Sequence, residues 1–252
     1  TIVLLFFAEC IQAQYSFKKI LSIPYEGNEN HHILRKTDNG IYGPDFFAFF
    51  NSHLYLLYSE EQSIKIFDST GSFKLRKSSP YNASSFDFDI GGGLIFNSDK
   101  LITAENNNSI NALPSEREFV ISRLTDRSFV FRKDNRRILI QTDKKTASVR
   151  FIGVDSNSNA FFDVETFVSE IPCKVLRHIF IYDRNDVISS MIKLPDIYYA
   201  YLPKDVFVDS NGNIYHLLAN KDELELIKWD PVRYNKAATA TEINYPEEYS
   251  IS

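Results

Sequence analysis

Apolar residues along this chain fall into short alternating or continuous runs broken by polar turn residues, and no long stretch repeats them at spacings of three and four. Alternation is the pattern of a strand with one buried face, whereas a helix repeats every 3.6 residues. The pattern predicts an all-β chain of short strands. Four segments lie over one another: FNSHLY at 50–55, FDIGGGLI at 88–95, VDSNSNAF at 154–161 and VDSNGNIY at 208–215. Apolar stretches at 46–49, 86–88, 151–154 and 206–208 lead into them, and a further apolar stretch follows each, so each reads as strand, tight turn, strand. Gly92, Ser158 and Gly212 coincide at the turn, where Gly and polar residues such as Asn accept the left-handed backbone that hairpins require.

A second landmark follows in three of the units, an aromatic residue and then Asp: Phe67 and Asp68, Tyr182 and Asp183, Trp229 and Asp230. In the unit holding Tyr182 the interval before it is lengthened by an insertion around 165–174. Turns at 69–71 and 184–186 then lead into last strands that end near a proline, at 72–80 and 187–195. Each unit thus predicts four strands, with the aromatics packed between neighbouring units. The long interval between the second and third segments holds strand-like pieces at 100–105, 118–124, 128–132 and 137–142; it is either one expanded unit or a diverged fifth one. Four-stranded antiparallel units repeated along one chain read as blades of a β-propeller. The strand-like stretch 15–23 precedes the first full unit and is expected to be the outer strand that closes the ring against the last blade.

The segments GPDFFAFFNSHLYLLYSEEQSIKIFDSTGSF and LPKDVFVDSNGNIYHLLANKDELELIKWD resemble the repeats of NHL-type and TolB-like six-bladed propellers, in their turn, second strand and aromatic-Asp end of the third strand. The resemblance runs from about Gly43 to Asp230. It departs at Ser59 and Ala219, where the family has Asp after the second strand, and in lacking the family's Arg on the third. It implies six blades, of which four or five are visible, with this chain a fragment whose remaining blades lie beyond Ser252. It also implies that the start of each innermost strand lies at the mouth of the central channel, where ligands sit. Asp45, Ser84, Arg150 and Lys204 occupy that position and are the candidate ligand-binding residues, although solvation of a strand start accounts for the same residue types.

The 252 residues, 44% of them apolar, are enough for one core. A net charge of −5 without a basic stripe excludes nucleic acid as a partner. Residues 2–8 form an unbroken apolar run followed by Glu9, Cys10, Ile11, Gln12 and Ala13. This reads as a partial signal peptide over 1–13, cleaved after Ala13, ahead of a propeller domain over 14–252. The protein is then secreted, or held in the periplasm or cell envelope, with no membrane span in the mature chain. A buried first strand and a lipid-modified Cys10 are the alternatives; Glu9 stands where the latter expects a small residue. Cleavage would leave Cys173 as the sole cysteine, read as a small buried hydrophobe.

Little else suggests chemistry. DSNSN at 155–159 and DSNGN at 209–213 begin like calcium loops, but the twelfth positions hold Thr166 and Asn220 in place of the bidentate Glu. They read as hairpin turns. His31, His32, His53, His178 and His216 fall at non-equivalent places, so no metal and no cofactor is expected. No nucleophile elbow, phosphate loop or metal helix is present. Two function classes follow: a non-catalytic binding module for a protein or glycan ligand, or a propeller hydrolase or lyase acting on a small polar substrate at the central channel.

Overall fold

The computed structural model describes residues 14–25, 33–89, 91–97, 119–195 and 199–232. Their regular structure is entirely β. After a long first strand β1 (Gln14–Pro24) comes a small hairpin, β2 (Arg35–Thr37) and β3 (Gly40–Tyr42). Five larger sheets follow in chain order. Sheet 1 is β4 (Phe46–Phe50), β5 (His53–Tyr58), β6 (Ser63–Asp68) and β7 (Phe73–Ser78); sheet 2 is β8 (Ser85–Phe88) and β9 (Leu94–Asn97). Sheet 3 is β10 (Val120–Thr125), β11 (Ser128–Lys133) and β12 (Arg136–Gln141); sheet 4 is β13 (Thr146–Val154), β14 (Ala160–Glu170), β15 (Cys173–Tyr182) and β16 (Ile188–Lys193). Sheet 5 is β17 (Val206–Val208), β18 (Ile214–Ala219) and β19 (Glu223–Val232), with β1 paired antiparallel to β19 as its fourth strand.

The turn chemistry read from the sequence is what joins the first two strands of these sheets. Ser158, Gly92 and Gly212 have φ of 65°, 80° and 80°. In sheets 4 and 5 an aspartate holds the turn: Asp155 Oδ1 accepts from the amides of Asn157 and Asn159, and Asp209 Oδ1 from those of Asn211 and Asn213. Asp68 and Asp183 cap the later turns in the same way, accepting from Thr70 and Ser72 and from Asn185 and Val187. Asp230 does not, because β19 runs past it to pair with β1, and it bonds Lys228 within the strand.

Among the described residues, sheets 1, 4 and 5 pack against a neighbour on both faces, and sheets 2 and 3 on one. Sheet 5 packs on sheet 1 through Leu21, Ile23, Leu56 and Leu217, and sheet 1 on sheet 2 through Leu57, Ile64 and Phe86. Sheet 3 packs on sheet 4 through Phe131, Ile140 and Phe162, and sheet 4 on sheet 5 through Phe161, Ile179, Ile227 and Trp229. The last sheet thus packs on the first, and the row runs 2, 1, 5, 4, 3. First strands of adjacent sheets approach one another, β13 to β17 and β4 to β8. Phe67, Tyr182 and Trp229 are all buried between sheets.

Three expectations are sharpened or corrected. The interval between the second and third repeat segments is resolved by sheet 3, which stands as a separate fifth unit; the piece at 100–105 lies outside the described residues, as do 1–13, His31, His32 and the chain end. The insertion around 165–174 is a lengthening of the β14–β15 hairpin beyond its sheet. Cys173 stands on that projection and is exposed, because the hairpin there has outrun the neighbouring sheets that would cover it.

Candidate functional site

Along the face of sheet 4 that meets sheet 5, strand alternation places Arg150 and Ile152 of β13, Phe161 and Asp163 of β14, and Arg177 and Ile179 of β15 on one side. Ile152, Phe161 and Ile179 meet apolar residues of sheet 5. At the other end the partners are charged. Arg177 Nε and Nη2 donate to the two oxygens of Asp163, at 2.9 and 2.6 Å, and Nη2 also reaches Asp205 Oδ1 at 2.6 Å, while Nη1 bonds Asp205 Oδ2. Arg150 Nη2 lies 2.6 Å from Asp163 Oδ2 and 3.2 Å from Asp205 Oδ1, and Nη1 donates to the carbonyl of Pro203. His216 Nε2 sits 3.5 Å from Asp205 Oδ2.

Asp163, Arg177, Asp205 and His216 are buried; the Arg150 side chain keeps 36% of its surface exposed. Burial by itself drives the Asp205 carboxyl up and the Arg177 guanidinium down. Their hydrogen bonds and charges overcome that: Arg177, then His216, hold Asp205 well below the usual carboxylate range, and Asp205 with Asp163 holds Arg177 well above its ordinary value. Asp205 and Arg177 are thus held in their ionised forms.

This cluster floors a cleft of about 640 Å³. One wall is the segment 199–203, which runs from sheet 4 toward β17 and is itself pinned: Tyr201 exchanges backbone hydrogen bonds with Ile41 and Gly43, so it pairs with the strand before sheet 1. Ser148 Oγ donates to Glu165 at the rim. Tyr201 is 62% exposed and meets Tyr42 edge to face at 6.0 Å; Tyr199 stacks on Tyr25 at 6.4 Å. A second recess, at the opposite end of sheet 4, is built from turn residues 156–159 and 183–185. Its neighbour Arg136 is spent on Asp186 and on the carbonyls of Ser158 and Asp183.

The four residues singled out from the repeat register have separate fates. Arg150 is part of the cluster. Lys204 follows the cleft wall and reaches across to the carbonyl of Ser84, at 3.3 Å, joining the starts of sheets 5 and 2. Asp45 accepts from the amide of Ser59 and caps its own sheet. Sequence reasoning missed Asp163, Arg177 and Asp205 and gave His216 no role. A signal was present for Asp163, a charge interrupting the apolar run AFFDV in a strand whose alternate positions are core. His53 bonds the carbonyl of Asn51 and His178 lies against Phe180; among the described residues no group of three His, Cys, Asp or Glu is gathered for a metal.

No family model matches the chain, and no curated protein does. Among solved structures, a Bacteroides fragilis chain described as a "putative exported protein" aligns over 90% of this chain and 97% of its own length, at 11% identity and a TM-score of 0.27. A likeness that low carries no weight for fold, location or function. Among the described residues no helix is long and apolar enough to cross a membrane.

Proposed function

We propose that this chain is an exported β-propeller of the NHL or TolB-like kind, acting as a non-catalytic binding module with its ligand site in the cleft between sheets 4 and 5. The five sheets are then consecutive blades, and β1 supplies the outer strand of the blade formed by β17, β18 and β19. That pairing favours a ring joined between the chain's first strand and sheet 5, rather than one closed by blades further along. The family resemblance implies a sixth blade. Removal of residues 1–13 and location outside the cytoplasm belong to the same reading.

The observation that carries the functional part is the mutual pairing of the cleft's charged groups. A general acid needs a proton to give near neutral pH, and a base needs an affinity for one. Asp205, held ionised by Arg177 and His216, offers neither. Such a cluster is instead a rigid set of donors and acceptors, the arrangement that orients a ligand in a pocket. The competing hydrolase or lyase reading rests on His216 beside Asp205. Purified protein offered chromogenic esters, phosphoesters and glycosides should show no turnover that Arg177→Leu or His216→Ala abolishes. Turnover lost in both variants overturns the binding-module reading in favour of the enzyme.

A further inference from the structure

Resting on the cleft as the ligand site, we infer that its ligand is a neutral carbohydrate, bound with a sugar ring against Tyr201 and its hydroxyls on Arg150 and Glu165. Three features of the cleft lead there.

The first is charge balance. Of the charged side chains that line the cleft, Arg150, Arg177, Asp163 and Asp205 are bonded to one another, two cations against two carboxylates, with Glu165 beside them at the rim. A ligand carboxylate or phosphate brought to Arg150 would compete with Asp163 and Asp205 for a guanidinium they already hold, and would sit near Glu165 with no cation left over for it. A cationic ligand brought to Asp163 or Asp205 would compete with Arg150 and Arg177 for carboxylates they already hold. An uncharged polar ligand disturbs nothing.

The second is the supply of unused polar atoms at the rim. A guanidinium has five N–H donors. Arg150 uses two on Nη2, toward Asp163 and Asp205, and one on Nη1, toward Pro203. Its remaining two donors belong to a half-buried side chain that lines the cleft. Glu165 accepts one bond from Ser148 and has further lone pairs. Fixed donors beside fixed acceptors suit hydroxyl groups, which both give and take a hydrogen bond.

The third is the aromatic wall. Tyr201 is a large, exposed ring that its backbone pairing with Ile41 and Gly43 and its contact with Tyr42 hold in place. Tyr199, braced by Tyr25, continues the wall. Tyr combines an apolar face with a polar tip and loses little entropy on binding. The C–H face of a pyranose ring packs on such a surface while its hydroxyls point to the polar groups alongside. A peptide chain would instead look for an unpaired strand edge, and at this wall the backbone of Tyr201 is already paired.

The test is isothermal titration of the full chain with cellotetraose, maltotetraose and chitotetraose, with tetragalacturonate and an acidic peptide as charged comparators. Binding of at least one neutral tetrasaccharide is expected, weakened at least about tenfold by Tyr201→Ala and within about threefold of the parent in Tyr201→Phe, which keeps the ring. Tyr201 is mostly exposed, so neither variant threatens folding. Binding of tetragalacturonate or peptide alone, lost in Arg150→Gln, overturns a neutral carbohydrate as the ligand while leaving the cleft as the site. Neutral sugar binding that ignores both Tyr201→Ala and Arg150→Gln overturns the cleft itself, and no binding by any of the three neutral sugars overturns the inference.

Discussion

The interface between sheets 5 and 1 and the interface between sheets 4 and 5 are assembled from the same repeat positions and have opposite chemistry. Superposing the aromatics of the second strands, Tyr215 on Phe161 on Tyr55, puts Leu217 of sheet 5 at the place of Asp163 of sheet 4. Superposing Trp229 on Tyr182 puts Leu224 at the place of Arg177. Across each interface, Leu56 of sheet 1 takes the place that His216 of sheet 5 takes. Leu56, Leu217 and Leu224 are at most 1% exposed; Asp163, Arg177 and His216 are 2–7% exposed. The backbone therefore accommodates either set, and the difference lies in what the side chains cost. Withdrawing an ion from water costs several kcal/mol even after relaxation, and a buried ionic set is often no better than an apolar one. The leucine interface shows that this register does not need charge for stability. The charged one coincides with the cleft.

The largest effect is expected from breaking that set unevenly. Arg177→Leu leaves Asp163 and Asp205 short of their main partner and should cost about 3–5 kcal/mol in urea unfolding. Asp163→Leu combined with Arg177→Leu recreates the leucine pair of sheet 5 and leaves Asp205 with Arg150 and His216. The double variant should lie within about 2 kcal/mol of the parent, far above the sum of the single losses, as coupled partners require. Additive losses would break the equivalence of the two interfaces.

A smaller effect separates the interfaces by pH. Burial raises the Asp205 carboxyl, but Arg177 and His216 more than reverse this, so its folded pKa lies below its unfolded value near 3.9. Such a group contributes stability that is present above the unfolded pKa and is lost as pH falls below it toward the folded one. The leucine interface contributes nothing of this kind. The drop in urea midpoint between pH 6 and pH 3 should accordingly be smaller in Arg177→Leu than in the parent. An equal drop would show that the pairing with Arg177 does not hold the carboxyl down.

The sequence made the strands, the turns and the inter-sheet aromatics legible because each has a local cause: alternation, a left-handed turn residue, a ring too large to expose. It made β1 visible too, since 15–23 had the strand pattern but no partner nearby. The cleft was legible only at Arg150. Asp163 and Arg177 pair through neighbouring strands, and Asp205 arrives from the next sheet, so their meeting depends on the packing of sheets 4 and 5. Residue spacing within one unit carries no trace of that. Asp45 accepts from the Ser59 amide within its own sheet, a local duty that the sequence shows only as a polar residue at a strand start.

The smallest predicted effect sharpens the comparison at a single turn position. Ser158 of sheet 4 and Gly212 of sheet 5 occupy the same place in hairpins held by Asp155 and Asp209, both with positive φ. A left-handed backbone costs a residue with a Cβ about 1–2 kcal/mol, while glycine's extra freedom in the unfolded chain costs roughly 0.5–1 kcal/mol. For Ser158→Gly the two terms nearly cancel, and a change within about 1 kcal/mol is expected. Gly212→Ala adds the left-handed cost, and its new Cβ would stand 2.9 Å from Asp155 Oδ2. That oxygen already accepts from Asn159 Nδ2, and the Ser156 amide bonds the Ser210 carbonyl alongside, so the two turns are tied together and Asp155 has little room to move. Gly212→Ala should therefore lower stability by about 1–2 kcal/mol in urea unfolding and exceed the effect of Ser158→Gly. If instead both variants unfold at the parent's midpoint, the turns of sheets 4 and 5 are not held against each other, and the contact between the two sheets ends short of this edge.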